Sequence, residues 1–273
     1  MSRNILIALA ACSGLAQAYD CATVDAALRQ QFAILEPMVD SPAAYDENKA
    51  NAAHTEIRRL LTTDADKSWD CDFSQAREQG LQMATASDHK FRAYSWDDAS
   101  GGTMRFNLGL WQYRDATGKT RVIDAHPEWE KREDVSGNSD NVTGLYTADL
   151  GERGTVYLLE ESAQGSSNAL AVSLQLLRVQ GDKPEAAALV RSHGKDLSSI
   201  AFAYDRDSLP GTTSQYPHFG YDAASKTLRV PLIENTQKFP DGEVTGKTLD
   251  YRYDGTYFVY VKDGAASEYS NPL

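Results

Sequence analysis

The sequence predicts a mainly β protein, an antiparallel sandwich, barrel or propeller-like fold, with a small N-terminal helical region ahead of it. Three observations predict this. After Gly80 the chain becomes a succession of short runs rich in Val, Thr, Tyr, Phe and Trp, each ended by clustered Asp, Asn, Ser and Gly. Before Gly80 the apolar residues recur at helical rather than alternating spacing. The aromatic fraction of 10% leans to tyrosine, with 14 Tyr against 8 Phe and 4 Trp, which suits strands packed on a sheet face.

Residues 1–18 read as a signal peptide. Arg3 supplies a positive start, and 5–16 is an apolar stretch far short of the roughly 20 residues of a membrane span. Ala16-Gln17-Ala18 is a small-x-small cleavage site that would leave Tyr19 first. The LAAC run at 9–12 offers an alternative, a lipoprotein anchored through Cys12. Residues 19–79 form the helical region. Val24, Leu28, Phe32 and Leu35 mark a first helix over 23–38, closed by Pro37. A second helix is expected over 41–64, with Ser41 as N-cap, Pro42 in its first turn and an apolar stripe of Ala53, Ile57, Leu60 and Leu61. A brief third stretch runs from 74 to 80.

Residues 80–273 form the antiparallel β-rich domain. Strand-like runs cover 81–87, 90–96, 103–114 and 119–125, then a polar loop spans 126–141. In the second run Arg92, Tyr94 and Trp96 share one face, and Phe91, Ala93 and Ser95 the other. Further runs cover 144–150, 154–162, 169–180, 185–192, 199–205, 218–222 and 226–234. The segment 247–264 reads as a hairpin: Leu249, Tyr251 and Tyr253 alternate with polar residues, Asp254-Gly255 turns, and Tyr257, Val259 and Val261 alternate again. Tyr-Asp precedes a turn at 204–205, 221–222 and 253–254, which keeps a propeller among the alternatives.

Of the three cysteines, Cys12 belongs to the leader and is discarded or lipidated. Cys21 and Cys71 remain, an even pair that predicts a disulfide in an oxidising compartment. The bridge would close a loop of about 50 residues, worth about 3–4 kcal/mol on the chain-entropy model. The net charge of −12 argues against nucleic acid, whose phosphates call for clustered Lys and Arg, and against docking on anionic lipid. It fits a basic protein partner in the envelope, cations, or plain solubility. No transmembrane segment is expected in the mature chain.

The run YSWDDASGGTM at 94–104 poses the sharpest local question, metal loop or turn. Its acids are adjacent and so diverge, and position 108 is Leu where a calcium loop of the EF-hand kind needs Glu. It reads as a turn in which Asp97 and Asp98 accept backbone N–H bonds while Gly101 and Gly102 take positive φ. The five histidines, His54, His89, His126, His193 and His218, show no zinc-binding spacing. No Gly-x-Ser-x-Gly elbow occurs; the Ser-x-x-Lys at 192–195 lacks its partner motifs, and Gly-Lys-Thr at 118–120 and 246–248 lacks the upstream glycine of a phosphate loop. The sequence therefore assigns no catalytic residue, metal or cofactor. His126, Glu128, Trp129 and Glu130 form a His–acid–aromatic group in one loop. If a binding surface exists, Asp97, Asp98, Glu128 and Glu130 are expected to border it, with Trp111, Tyr113 and Trp129 as anchors.

Residues 91–115, with FGYDAASKTLRV and TGKTLDYRYDGTYFVY further on, resemble a group of uncharacterised secreted bacterial proteins that share a YSWD-x(3)-GGTM motif. The resemblance implies export to the cell envelope and carries over no activity and no functional residue. The expected function is an exported (periplasmic or secreted) envelope binding protein, such as an inhibitor or immunity protein against a basic cell-wall-directed enzyme. The alternatives are a glycan- or peptidoglycan-directed hydrolase with acids drawn from separate loops, and a structural envelope module.

Overall fold

Helices lie against one sheet, that sheet against a second, and the second against a third. The computed structural model describes residues 20–100, 102–125, 141–209, 217–262 and 265–266. The leader, Cys12 and the 126–140 loop lie outside them.

The helical layer comprises α1 (Cys21–Asp40), α2 (Glu47–Thr62) and α3 (Ser74–Glu78). Asp20 caps α1, its carboxylate accepting from Ala22 N–H at 3.1 Å. Pro37 does not close α1. It sits in the last turn, where its carbonyl still accepts from Ser41 N–H at 3.2 Å, and the helix runs on to Asp40. Nor does α2 begin at Ser41. Pro42 falls in a short 3-10 turn, and Asp46 is the cap, accepting from Lys49 N–H at 3.2 Å with Glu47 in the first turn. The disulfide joins Cys21 to Cys71 across 5.5 Å between Cα atoms, tying the start of α1 to the chain before α3.

The strands, in chain order, are β1 (Gln82–Thr85), β2 (Phe91–Asp97), β3 (Asn107–Arg114), β4 (Thr120–Asp124), β5 (Asn141–Asp149), β6 (Thr155–Gln164), β7 (Ala169–Gln180), β8 (Lys183–Ala186), β9 (Val190–Ser192), β10 (Lys195–Leu197), β11 (Ser199–Asp205), β12 (Gly220–Asp222), β13 (Thr227–Glu234), β14 (Glu243–Tyr253), β15 (Phe258–Lys262) and β16 (Ala265–Ala266). The first sheet runs β1-β2-β3-β4. The second runs β11-β7-β6-β5, with β8 also on β7. The third runs β10-β9-β15-β14-β13-β12, with β16 on β15. Pairing is antiparallel except between β15 and β9. No barrel closes among the described residues. In the final hairpin Tyr253 pairs with Phe258 across a four-residue loop whose Asp254 carboxylate accepts from Thr256 and Tyr257 N–H, so Phe258 rather than Tyr257 faces Tyr253.

Three cores lie between the layers. Leu28, Phe32 and Leu35 of α1 and Ile57 and Leu61 of α2 meet Tyr94, Trp96 and Leu110 of the first sheet. The other face of that sheet, with Phe91, Ala93, Trp111 and Tyr113, meets Val142, Tyr157, Leu159 and Leu177 of the second. The far face of the second sheet, with Leu158, Val172, Leu174 and Leu176, meets Leu228, Val230, Tyr251 and Phe258 of the third. The alternation read in 90–96 therefore holds, with both faces covered. The helices share their core with β2 and β3, so Gly80 marks a change of element rather than a gap in packing.

This layering corrects one expectation. Trp111 and Tyr113 are only 7% and 1% exposed. The first sheet is an inner layer, so their side of β3 packs on the second sheet. The Phe91 ring lies 6.0 Å from Trp111, 6.3 Å from Tyr113 and 4.8 Å from Tyr157, and Tyr113 donates its hydroxyl to the Asp182 carbonyl at 2.7 Å. They are core aromatics rather than surface anchors. Among the described residues no helix is long and apolar enough to cross a membrane.

Candidate functional site

The segment after β2 is a turn. Asp97 Oδ1 accepts from Ala99 N–H at 2.7 Å, and Asp98 accepts from Ser100 N–H at 2.9 Å and from its hydroxyl at 2.7 Å. Asp98 N–H donates to the Phe106 carbonyl at 2.8 Å. Ala99 takes the left-handed conformation, at φ 63°; Gly101 lies outside the described residues. The Asp97 carboxylate fixes the backbone at 99, and the Ala99 methyl is buried in the helical core, which holds a conformation that costs L residues roughly 1–2 kcal/mol.

His54 of α2 supports the turn from beneath. Its Nδ1 accepts from Trp96 Nε1–H at 3.2 Å, so its Nε2–H donates to the Asp98 carbonyl at 3.0 Å. Both ring nitrogens are used, and burial pushes the imidazole below its ordinary pKa. It is a neutral structural histidine.

Beside the turn, Asp97 Oδ2 lies 3.5 Å from Arg105 Nη1, which donates to the Val39 carbonyl at the end of α1 at 2.9 Å. Arg105 N–H donates to the Gln164 carbonyl at 3.0 Å, and Gln164 returns an amide donor to the Thr103 carbonyl at 2.7 Å. The turn thus fastens the helical layer to the end of β6. At this seam lies a cleft of about 190 Å³ lined by Gln82, Asp97, Arg105, Asn107, Asn141, Ser162 and Gln164. A recess of about 120 Å³ adjoins it, lined by Phe32, Leu35, Glu36, Val39, Asp40 and Gln79; Gly80 and Asp97 line both. Burial pushes the Asp97 carboxyl above its ordinary range, against the pull of Ala99 N–H and Arg105. Among the described residues the side chains of Gln82, Asn107 and Ser162 have no hydrogen-bond partner, and Ser162 is 6% exposed.

A second polar group sits at one end of the outer core. Glu160, 1% exposed, accepts from His218 Nδ1–H at 2.9 Å and from Phe219 N–H at 3.3 Å. Tyr146 donates to the Phe219 carbonyl at 2.8 Å. Gly144 leaves the room this needs, because a Cβ there would lie 2.8 Å from Glu160 Oε2. These bonds hold residues 218–219 on the second sheet. Among the described residues no group of three His, Cys, Asp or Glu is placed to hold a metal.

Of the residues expected at a binding surface, Asp97 lines the cleft and Asp98 is turned onto Ser100. Trp111 and Tyr113 are in the core, and Glu128, Trp129 and Glu130 lie outside the described residues. Sequence reasoning missed Arg105, Gln82, Asn107, Asn141, Ser162 and Gln164. They come from β1, β3, β5, β6 and a loop, so no local spacing links them; the only usable signal was the acid and arginine that flank the glycine turn. No family model, curated protein or solved structure matches the chain.

Proposed function

We propose that this protein is an exported binding protein of the cell envelope, released by cleavage after Ala18 or anchored through Cys12, that takes a basic protein partner. A basic cell-wall-directed enzyme that it inhibits is the reading we favour. The observation that carries it is the cleft at the seam. At about 190 Å³ it is smaller than the roughly 300–1,000 Å³ of pockets that enclose whole small molecules, and it suits a protruding piece of a larger partner. The Cys21–Cys71 bridge supports export, as does the resemblance to secreted proteins through the 94–104 motif. The net charge of −12 supports rapid, salt-sensitive capture of a cationic partner.

The test uses the purified chain against a panel of purified basic peptidoglycan hydrolases, measuring binding at low and high ionic strength together with residual hydrolase activity. Tight, salt-weakened binding with loss of hydrolase activity is expected; no binding across the panel overturns the reading. Asp97 supports a second reading, because a carboxyl raised by burial in a cleft suits an acid catalyst. Turnover of peptidoglycan or glycosides by the chain itself, abolished in Asp97→Asn, would establish that hydrolase instead.

A further inference from the structure

We infer that the recess beside the cleft is a specificity pocket for a lysine side chain of the partner, with the amide-lined cleft seating the main chain on either side of that lysine. This rests on the reading of the protein as a binder of a basic partner and names the group recognised.

The recess has two chemistries in one small volume. Phe32, Leu35 and Val39 give it an apolar wall, and Glu36, Asp40 and Asp97 give it three carboxylates with no cation in its lining among the described residues. Glu36 and Asp40 are four residues apart on α1 and so share a face, while Asp97 arrives from the end of β2. Arg105, the nearby cation, belongs to the cleft instead and is held by the Val39 carbonyl. A lysine has the matching anatomy. Its four-carbon stem lies along apolar surface, and its ammonium is a compact charge that takes acceptors from several directions. An arginine fork prefers two coplanar acceptors on one carboxylate, and acids drawn from a helix face and a strand end do not offer that arrangement.

Asp97 is the link between the two compartments. Among the described residues its one ion pair, with Arg105, is long at 3.5 Å, so a second cation would find this desolvated carboxylate incompletely paired. In the cleft, the Gln82 and Asn107 amides each offer a donor and an acceptor without a partner among the described residues, and Ser162 adds a hydroxyl. Such groups match the alternating N–H and C=O of a peptide.

The test is an NMR titration of the isotopically labelled chain with a blocked Gly-Lys-Gly peptide, its norleucine counterpart of similar length without charge, and the arginine counterpart. The lysine peptide is expected to move the amide signals of Val39, Gly80 and Gln82 to saturation. The norleucine and arginine peptides should bind at least about tenfold more weakly, a difference of about 1.4 kcal/mol. Val39→Phe, which fills the recess without changing charge, and Glu36→Gln, on the helix surface, should each weaken the lysine peptide by a similar factor. Glu36→Gln keeps the test alive if Val39→Phe fails to melt like the parent. Equal binding of the norleucine peptide, shifts confined to another surface, or a chito-oligosaccharide saturating the same amides while the peptide does not would each overturn the proposal. If the peptide fails and a basic hydrolase still binds the Val39→Phe chain, the pocket is wrong and the binding reading stands. If no hydrolase binds while the peptide does, the reverse holds.

Discussion

The interface between the helices and the first sheet and the interface between the second and third sheets bury large side chains by different chemistry. The first is threaded with polar groups. Arg92, 3% exposed, donates to the Ser68 carbonyl at 2.8 Å, to the Trp69 carbonyl and to Thr85 Oγ1 at 2.7 Å, and it lies over the rings of Trp69 and Tyr94. Tyr94 donates to Gln112 Oε1 at 2.6 Å, and Gln112 donates to the Ala65 carbonyl at 2.7 Å and to Ser68 Oγ at 3.1 Å. The second interface is a field of Leu and Val with Phe258 and Tyr251, and its buried carboxylate, Glu160, sits at one end. The difference follows from the backbone on each side. Strands satisfy their own N–H and C=O groups, so two sheets need only apolar faces. The chain between α2 and α3 has little regular structure, and its carbonyls need donors from the sheet beside it.

That contrast is broken most directly at Arg92. Arg92→Leu removes three charge-assisted hydrogen bonds at once and strands the buried Trp69 carbonyl, while the Ser68 carbonyl keeps Cys71 N–H and Thr85 is half-buried; a loss of about 4–5 kcal/mol of unfolding free energy in urea is expected. A loss below about 1 kcal/mol would mean that this interface, like the other, is held by apolar packing alone. Removing the disulfide with Cys21→Ser and Cys71→Ser should cost about 3–4 kcal/mol, with hydrogen exchange accelerated in α1 and α3 and not in β7. Uniform acceleration would show that the helical layer has no local stability of its own. In the sheet–sheet interface, Leu174→Ala should cost about 3 kcal/mol through lost burial and a residual cavity. A value above that for Arg92→Leu would reverse the ranking of the two interfaces.

The contrast also marks what the sequence made legible. Periodicity located the helices and nearly every strand, because each carries its own spacing of apolar residues. Composition gave the Cys21–Cys71 bridge by arithmetic. Periodicity reports that a face is covered and is silent on what covers it, so two-faced burial of β2 and β3 went unread. Trp111 and Tyr113 looked like exposed anchors for that reason. Cap chemistry was recognised with its position misjudged, Asp46 outcompeting Ser41, and the left-handed conformation of Ala99 went unread. The candidate cleft was legible only at Asp97. Its other polar residues meet because two sheets abut, and nothing local in the sequence encodes that meeting.

The smallest effect separates the two regions by sign. His54 belongs to the helical side and His218 to the sheet–sheet side. Burial lowers the His54 pKa, and Arg58 opposes its protonation further, against the contributions of Asp97 and Asp98 that favour it. The hydrogen bond to Glu160 raises the His218 pKa, against its partial burial. Tyr146, pushed up to about 12 by burial and by Glu160, stays protonated and adds no charge at neutral pH. Relative to an unfolded imidazole near about 6.5, His54 contributes stability that is present above that value and lost as pH falls through its lowered folded pKa. His218 contributes stability that is fully present below that value and lost as pH rises through its raised folded pKa. An NMR titration of the two imidazoles is expected to place the His54 midpoint below and the His218 midpoint above the free-histidine value. His218→Gln should remove the loss of stability on the alkaline side and leave that on the acid side, because the Trp96–His54–Asp98 chain is untouched. Midpoints that coincide would show that the buried Glu160 is not setting the charge of its partner, and that the two interfaces differ in packing alone.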